Sequence, residues 1–307
     1  MSESETIECL RSTLGPRLGL EGIGDDGALL RVEDGRAIVT DTSVEGVHFR
    51  REWSDFGDIA WRALATNISD MWAMRARPSS WLLSLSSPGL AVDELAELVS
   101  GFQSCISELQ TPCDLVGGDT TRAPALILTV TVVGDVVGEP MSRATASPGD
   151  DVYINGRVGH AAAGLAALRA GRSEEFGSFV KAHRRPHPPQ VCFNELARAS
   201  AGMDVSDGLA QDLTRLARAS AVSIAIDALP DDPDLARACS ELSIGLRDCQ
   251  LFGGDDYVLV VAAATTPGPG WRRIGTVEPA ADLVLTEVMR DGTRRAVQAG
   301  GFQHFSD

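Results

Sequence analysis

The sequence contains Gly22-Ile23-Gly24-Asp25-Asp26-Gly27 and, further on, Asp41-Thr42-Ser43-Val44-Glu45-Gly46-Val47-His48, and these two stretches decide how the rest is interpreted. The spacing of the first satisfies G-x-G-x-x-G, a fingerprint that needs a strand before the glycines and a helix after them. Here turn-rich polar residues precede the glycines, and the apolar run 28–32 is expected to be extended. Two positions that would face a phosphate are carboxylates. Because carboxylates repel a phosphate unless a cation lies between them, we predict a metal-bridged phosphate site.

Length and composition favour a globular protein of ordinary size. The chain of 307 residues, 44% of them hydrophobic, is long enough for two domains with a sizeable core. No apolar run approaches the roughly 20 residues of a membrane span. The acidic segment 1–5 is not followed by an apolar segment, so no secretory signal is expected. The six cysteines lack C-x-x-C spacing, which predicts free thiols and a cytoplasmic protein.

The charge pattern excludes several classes of function. A formal net charge of −16 argues against a nucleic-acid partner, because phosphate neutralisation requires clustered Lys and Arg. Lys181 is the only lysine, and it lies outside any G-x-x-x-x-G-K-[ST] pattern. A nucleotide triphosphate, if bound, is therefore not held by a P-loop or by the strand lysine of protein kinases.

The pattern of apolar residues predicts strands and helices that alternate along the chain, which indicates α/β or α+β layering. Residues 36–40 predict a short strand with Asp41 at its end, and apolar residues at helical spacing predict a helix over 55–74. Residues 114–116 predict a strand that runs into the glycine-rich segment 117–122. The turn formers of 134–150 mark the expected domain boundary.

Aspartates recur where predicted elements meet glycine-rich segments. A single such aspartate is usually a turn former or a helix cap, and the spacing alone leaves capping and Mg²⁺ binding about equally open. No G-x-S-x-G, H-E-x-x-H or zinc-type cluster of Cys and His offers another chemistry. The recurring aspartates are Asp25, Asp26, Asp41, Asp70, Asp119, Asp204, Asp207, Asp255 and Asp256.

Eight motifs, in register across nearly the whole chain, resemble the thiamine-monophosphate kinase family, a relative of aminoimidazole ribonucleotide synthetase. The resemblance implies an α/β (α+β) fold of two domains, with a β-rich N-terminal domain that dimerises through its sheet and an α/β C-terminal domain. Residues 1–137 would form the ATP- and Mg²⁺-binding and dimerisation domain, and 138–307 the C-terminal domain. The motifs are GIGDDGALL (22–30), DTSVEGVHF (41–49), NISDMWAM (67–74), GGDTTR (117–122), SRATASPGD (142–150), MDVSDGL (203–209), GGDDY (253–257) and GFQHF (301–305).

The resemblance also implies an activity and a site. A homodimer would transfer the γ-phosphoryl group of ATP to thiamine monophosphate with the help of several Mg²⁺ ions, without a catalytic base, and Asp41, Asp119 and Arg143 would matter most. The metal ligands would be Asp26, Thr40, Asp41, Asp70, Asp119, Asp204 and Asp207. ATP would contact Gly118, Asp119, Arg143 and Ser206, and thiamine monophosphate would contact His48, Asp255 and Phe302.

The chain departs from the family pattern at two places. The usual Gly-Gly-Glu-Asp-Tyr-Glu is here Gly253-Gly254-Asp255-Asp256-Tyr257-Val258, and the usual Ala-Met-Gly-Ala is Ala73-Met74-Arg75-Ala76. Both changes are expected near the acceptor substrate. An enzyme of the same superfamily that acts on a different small molecule is therefore an alternative, and a non-catalytic nucleotide-binding protein is a second.

Overall fold

The computed structural model describes residues 27–30, 35–298 and 300, which form twelve strands and eight helices. The strands are β1 (Ala28–Leu30), β2 (Arg36–Val44), β3 (Ala76–Ser87), β4 (Asp114–Arg122), β5 (Ile127–Val136), β6 (Asp151–Ile154), β7 (Ala201–Val205), β8 (Val222–Ile226), β9 (Val258–Ala263), β10 (Arg272–Pro279), β11 (Leu285–Val288) and β12 (Arg294–Ala296). The helices are α1 (Phe56–Ala73), α2 (Val92–Glu108), α3 (His160–Arg169), α4 (Gly177–Arg184), α5 (Phe193–Leu196), α6 (Leu209–Ala219), α7 (Pro233–Leu242) and α8 (Leu246–Phe252).

The strands form two sheets, which follow each other along the chain. The first has the order β1-β2-β5-β3-β4 and the second the order β12-β11-β8-β10-β6-β9-β7. Pairing is antiparallel except between β3 and β4 and between β11 and β8. The mixed α/β architecture expected from the sequence is confirmed. The first sheet ends at Val136 and the second begins at Asp151, and we retain the division into domains 1–137 and 138–307 as a proposal.

Helix α1 is the element that joins the two halves. Every residue of α1 except Asp70 is buried. Its apolar side chains share one core with residues of the first sheet and also with Tyr153, Leu259 and Val261 of the second. α1 is covered on nearly all sides, and each of its fully buried large apolar side chains contributes roughly 1.5–3 kcal/mol. The two halves are therefore held together by this helix.

Local signals explain where α1 begins and ends. The Asp55 side chain caps its start by accepting a hydrogen bond from the Asp58 amide at 2.6 Å. Arg75, with φ 54, adopts the left-handed conformation just beyond its end. The helix predicted over 55–74 is confirmed.

The second sheet is covered on both faces, which explains why β7 and β9 are buried throughout. Leu259, Val261 and Ala263 pack in the core that contains α1. The alternate residues Val258, Val260 and Ala262 pack in a second core with α6. Because successive side chains point to opposite faces, β7 also presents Asp204 towards α1 while Met203 and Val205 face α6.

Two strands are longer than the sequence predicts. β2 continues beyond Asp41 to Val44, because it pairs with β5 without interruption down to Ile127. β4 includes the whole segment 117–122, because it pairs with β3 as far as Ser87. Asp41 and Asp119 therefore lie within strands rather than in loops. Gly118 must be glycine there, since its φ is 155 and a Cβ would lie 1.9 Å from the Leu83 carbonyl oxygen.

Five cysteines in the described part of the chain have free thiols, as expected. No described helix is both long and apolar enough to cross a bilayer.

Candidate active site

The first part of the candidate site is the contact between α1 and β7. The Asp204 carboxylate, only 2% exposed, accepts a hydrogen bond from the Ser69 hydroxyl at 2.7 Å. The next residue of α1, Asp70, is the one residue of the helix that is not buried. Asn67, one turn earlier, keeps a buried amide oxygen without a hydrogen-bond partner. The contact therefore gathers oxygen ligands from both halves of the chain.

The turn after β7 contributes Ser206 and Asp207. Their backbone amides donate to one oxygen of the buried Asp212 at 3.1 Å each, which fixes the shape of the turn. Burial raises the pKa of Asp212 to about 7, although Arg215 acts in the opposite direction. Arg215 also contacts the Asp207 carboxylate at 2.6 Å.

Arg143 comes from the segment between the two sheets and reaches the same turn. Its carbonyl accepts a hydrogen bond from Ser220 at 2.7 Å. The pKa of Asp212 and that of Arg215 are both raised overall, and the positive charge of the nearby Arg143 opposes the rise in each. Two of the predicted ATP contacts, Arg143 and Ser206, are therefore in one neighbourhood.

The loop between α8 and β9 brings Asp255 beside this turn. The Asp255 amide donates to the Ser206 carbonyl at 2.7 Å, and the Tyr257 amide donates to the Val205 carbonyl at 2.8 Å. Asp255 and Tyr257 have φ values of 70 and 50, in the left-handed region that non-glycine residues seldom adopt. Such strained backbone concentrates at functional sites.

Asp255 is held from the side of α1 by Arg62. The Arg62 guanidinium donates to Asp255 Oδ1 and, at 2.8 Å, to the His183 carbonyl. Burial opposes its charge, but Asp255, Tyr257 and Asp41 outweigh burial and raise the pKa of Arg62.

Tyr257 marks the point where the two halves meet. Burial and then the carboxylates of Asp255, Asp41 and Asp204 raise the pKa of its hydroxyl well above the usual value. These three carboxylates come from the loop before β9, from β2 and from β7. The electrostatic influence of Asp41 thus reaches the second half of the molecule.

Asp256, next to Asp255, has a different role. Its carboxylate accepts hydrogen bonds from the Gly159 amide at 2.6 Å and the Ala161 amide at 3.3 Å, at the start of α3. Asp256 therefore caps a helix, which is the alternative to Mg²⁺ binding that the sequence left open.

The first sheet places its four predicted site residues on two different faces. Asp41, Val130, Leu83 and Gly118 form one cross-strand row, on the face that packs against α1. Thr40 and Asp119 belong to the neighbouring rows, on the opposite face, where Thr40 Oγ1 lies 2.9 Å from Thr131 Oγ1.

Distance along the sheet also separates these residues. Asp41 and Gly118 are three strand spacings apart, about 14 Å. The fold of one chain therefore does not bring Asp119 together with Asp41.

His48 lies in the turn that follows β2. The Val44 amide donates to His48 Nδ1 at 3.0 Å, so the ring proton of the neutral imidazole is on Nε2. Two further predicted residues, Asp26 and Phe302, lie outside the described residues.

Arg75 lies just beyond the end of α1 and contacts backbone carbonyls of the second half of the chain. Its buried guanidinium donates to the carbonyls of Glu139 at 2.9 Å, Ala199 at 3.3 Å and Leu196. Along α1 it lies about 20 Å from Arg62, which contacts Asp255. Arg75 therefore lies away from Asp255, the other position that departs from the family pattern, and it ties the end of α1 to the second half of the chain.

The donor set fits Mg²⁺ better than a softer metal. Asp70, Asp204 and the orphaned Asn67 oxygen are hard oxygen donors, which Mg²⁺ prefers. Among residues 27–30, 35–298 and 300, no three His, Cys, Asp or Glu side chains already form a metal cage. Mg²⁺ is commonly bound by one or two carboxylates together with waters and substrate phosphates, so an incomplete protein cage is compatible with it.

Four residues that shape the site were missed from the sequence: Arg62, His183, Asp212 and Arg215. The Asp212–Arg215 pair could have been found from its i, i+3 spacing on a helix that follows a candidate motif. Arg62 and Asp255 are 193 residues apart, and no local pattern connects them.

Comparisons with known proteins identify the family of the chain. Residues 24–136 match the family model described as AIR synthase related protein, N-terminal domain. Thiamine-monophosphate kinase of Bacillus subtilis (strain 168) is 34% identical, over 92% of this chain and 93% of the relative. The enzyme of the same name from Salmonella typhimurium is 36% identical, over 94% of each chain.

A solved structure shows the same similarity across the whole fold. The structure described as AaThiL complexed with AMPPCP and TMP superposes with a TM-score of 0.87 and 28% identity, over 99% of this chain and 97% of that one. Because relatives at 34% and 36% identity match over nine-tenths of the sequence, the chain belongs to the thiamine-monophosphate kinase family.

Proposed function

We propose that the protein transfers the γ-phosphoryl group of ATP to thiamine monophosphate, giving thiamine diphosphate and ADP. The observation that carries this proposal is the meeting of Asp70, Asp204 and Asp255 around one helix, within a family named for this reaction. These carboxylates come from both halves of the chain, and we propose that the two substrates bind in a cleft at this junction. Carboxylates at such a junction suit two polyanions that must be brought together through cations.

Mg²⁺ would be held, as several ions, by Asp26, Thr40, Asp41, Asp70, Asp119, Asp204 and Asp207, of which Thr40 and Asp119 lie on the face of the first sheet opposite to Asp41. When bound, it would neutralise the phosphates of both substrates and the charge that develops on the departing diphosphate. The nucleophile is an oxygen of the acceptor phosphate, which is already ionised near neutral pH. It forms a bond to the γ-phosphorus as the bond to the bridging oxygen of ADP breaks, so the chain needs no general base.

The chain itself would orient the two substrates. Gly118, Asp119, Arg143 and Ser206 would contact ATP, and Arg143 would add a fixed positive charge beside the Ser206 turn. His48, Asp255 and Phe302 would contact thiamine monophosphate, and the neutral His48 ring would carry its proton on Nε2 because Nδ1 accepts a hydrogen bond from the Val44 amide.

A homodimer is part of this proposal. β4 is an edge strand with all nine residues exposed, and it carries the exposed apolar side chains of Leu115 (54%) and Val116 (64%). An edge of this kind is ready to pair with another chain. A partner that covered it would also face the side of the sheet that carries Thr40 and Asp119. We propose a cytoplasmic homodimer that assembles through this sheet.

An acceptor screen tests the activity. Purified protein is incubated with ATP and Mg²⁺, and with thiamine monophosphate, thiamine or no acceptor, and both ADP and thiamine diphosphate are quantified. We expect both products only with thiamine monophosphate, and none with EDTA. Asp204→Asn is expected to lower the rate at least 100-fold, whereas the exposed Asp234→Asn serves as a matched control that leaves it unchanged.

The same screen separates the alternatives. ADP release that is indifferent to thiamine monophosphate but stimulated by another phosphate acceptor would identify a related enzyme with a different substrate. No ADP release, with measurable heat on titration with Mg-ATP, would identify a non-catalytic nucleotide-binding protein.

A further inference from the structure

We propose that Arg62 is a positioning residue for the acceptor substrate: it fixes the Asp255 carboxylate so that one oxygen faces the cleft as a hydrogen-bond acceptor. This inference rests on the proposed function, because it concerns the residue assigned there to thiamine monophosphate. Arg62 itself lies behind Asp255, in the body of α1.

Burial makes Arg62 a rigid support. Its side chain is 6% exposed, whereas that of Asp255 is 29% exposed. One guanidinium nitrogen donates to Asp255 Oδ1 and another donates to the His183 carbonyl at 2.8 Å. A planar guanidinium held at two points on a buried helix has little freedom to turn.

The backbone of the Asp255 loop is fixed independently of Arg62. Two hydrogen bonds to the β7 turn, from the amides of Asp255 and Tyr257, hold it. With the backbone set, the direction of the carboxylate depends on its side-chain contacts. These are Arg62 and the Tyr257 hydroxyl, which lies 3.4 Å from the same oxygen, Oδ1.

The second oxygen, Oδ2, remains for the substrate. His183 Nδ1 lies 3.6 Å from it and makes no hydrogen bond. Burial and then Arg62 lower the pKa of His183 to about 4, so the imidazole is neutral near pH 7. Arg62 pairs with the carboxylate through Oδ1, and we infer that Oδ2 accepts a hydrogen bond from an N–H or O–H donor of the acceptor.

The ion pair couples the length of the Arg62 side chain to that of the Asp255 side chain. Aspartate is shorter than glutamate by one methylene group, and lysine is shorter than arginine. Arginine on α1 reaches far enough to meet the shorter side chain. Lengthening the carboxylate alone would push it against Arg62, and shortening the cation alone would leave a gap, whereas both changes together should restore the contact.

A double-mutant cycle tests this coupling. Arg62→Lys, Asp255→Glu and the double variant are compared with the wild type for KM of thiamine monophosphate, KM of ATP and kcat. Loss of a charged hydrogen bond corresponds to a change on the order of 10- to 100-fold. We expect each single variant to raise KM of thiamine monophosphate by this factor, with KM of ATP within about twofold. We expect the double variant to recover most of the loss.

The ion pair between Arg185 and Asp58 provides a matched control, because it also joins an arginine to α1 but does not contact Asp255. Arg185→Lys, Asp58→Glu and their double variant should leave KM of thiamine monophosphate unchanged. A merely structural role for Arg62 would make both cycles behave alike, and this result would overturn the inference.

Two other results are distinguishable. A wild type that transfers phosphate to thiamine monophosphate, with single variants at 62 and 255 whose effects simply multiply in the double variant, would overturn the inference and leave the proposed function intact. A wild type without that activity would overturn the proposed function and the inference with it.

Discussion

His183 shows how burial of one residue gives the whole fold a pH dependence. Burial and Arg62 lower its pKa from 6.5 to about 4. Between these values the unfolded chain binds a proton that the folded chain excludes. The contribution of His183 to the free energy of unfolding is therefore complete above pH 6.5 and is lost as the pH falls towards 4, by at most about 1.4 kcal/mol per pH unit.

Replacing His183 should remove this part of the acid sensitivity. Urea unfolding of the wild type and of His183→Gln is measured at pH 7.5 and at pH 5. We expect the free energy of unfolding of the wild type to fall by about 2 kcal/mol more than that of the variant over this interval. Equal losses in the two proteins would show that His183 titrates normally in the folded state.

Arg75 combines an unfavourable backbone with favourable contacts. Its left-handed conformation is unfavourable by roughly 1–2 kcal/mol for a non-glycine residue. Its guanidinium, however, serves three carbonyls, and a buried carbonyl without a partner is unfavourable by about 1–3 kcal/mol. We expect Arg75→Gly to lower the free energy of unfolding by about 2 kcal/mol, measured by urea denaturation, because the lost contacts outweigh the relieved strain.

Kinetic measurements on Arg75→Gly test the position assigned to Arg75. Its contacts lie about 20 Å along α1 from Arg62. KM of thiamine monophosphate should therefore stay within about twofold of the wild-type value. A tenfold rise would place Arg75 beside the acceptor and would contradict the proposal that the acceptor binds at Asp255.

At the scale of elements, the packing of α2 on α1 depends on a glycine contact. A Cβ at Gly101 of α2 would lie 2.3 Å from the carbonyl oxygen of Gly57 in α1. Gly101→Ala must therefore separate the two helices, and overpacking of this kind typically lowers stability by about 1–3 kcal/mol. Gly177→Ala is the matched control, since nothing lies within 4 Å of its Cβ. Thermal unfolding should separate the variants, and equal midpoints would contradict this close contact.

The helices and strands differ in how well the sequence predicts them. α1 was predicted within one residue at each end, because its apolar periodicity and the Asp55 cap are local signals. β2 and β4 were predicted too short, because Asp41, Gly117 and Gly118 are turn formers by local preference. Pairing with β5 and β3 overrides that preference, and a pairing partner is not visible in the segment itself.

At the scale of the whole molecule, the candidate site was predicted as a set of motifs but not as an arrangement. Asp70 lies on α1, Asp204 and Asp255 contact that helix, and the Ser206 carbonyl accepts a hydrogen bond from the Asp255 amide. The separation of Asp41 from Asp119 onto opposite faces could not be foreseen, because it depends on strand register across four strands. Arg62 was missed because its partner is 193 residues away.

The proposed homodimer would assemble through edge strand β4 of the first sheet. Val116 is 64% exposed on the edge strand β4, so Val116→Lys should leave the fold of one chain intact. We expect sedimentation to show a dimer for the wild type and a shift towards monomer for the variant. A wild-type monomer at micromolar concentration would contradict assembly through this edge.

The central claim is direct transfer between two phosphates, and isotope transfer tests it most directly. The protein is incubated with Mg²⁺, thiamine monophosphate and ATP labelled at the γ-phosphorus, and the products are separated. The account predicts that the label appears in thiamine diphosphate in equal amount to the ADP formed. Label released as inorganic phosphate, with thiamine monophosphate unchanged, would contradict it.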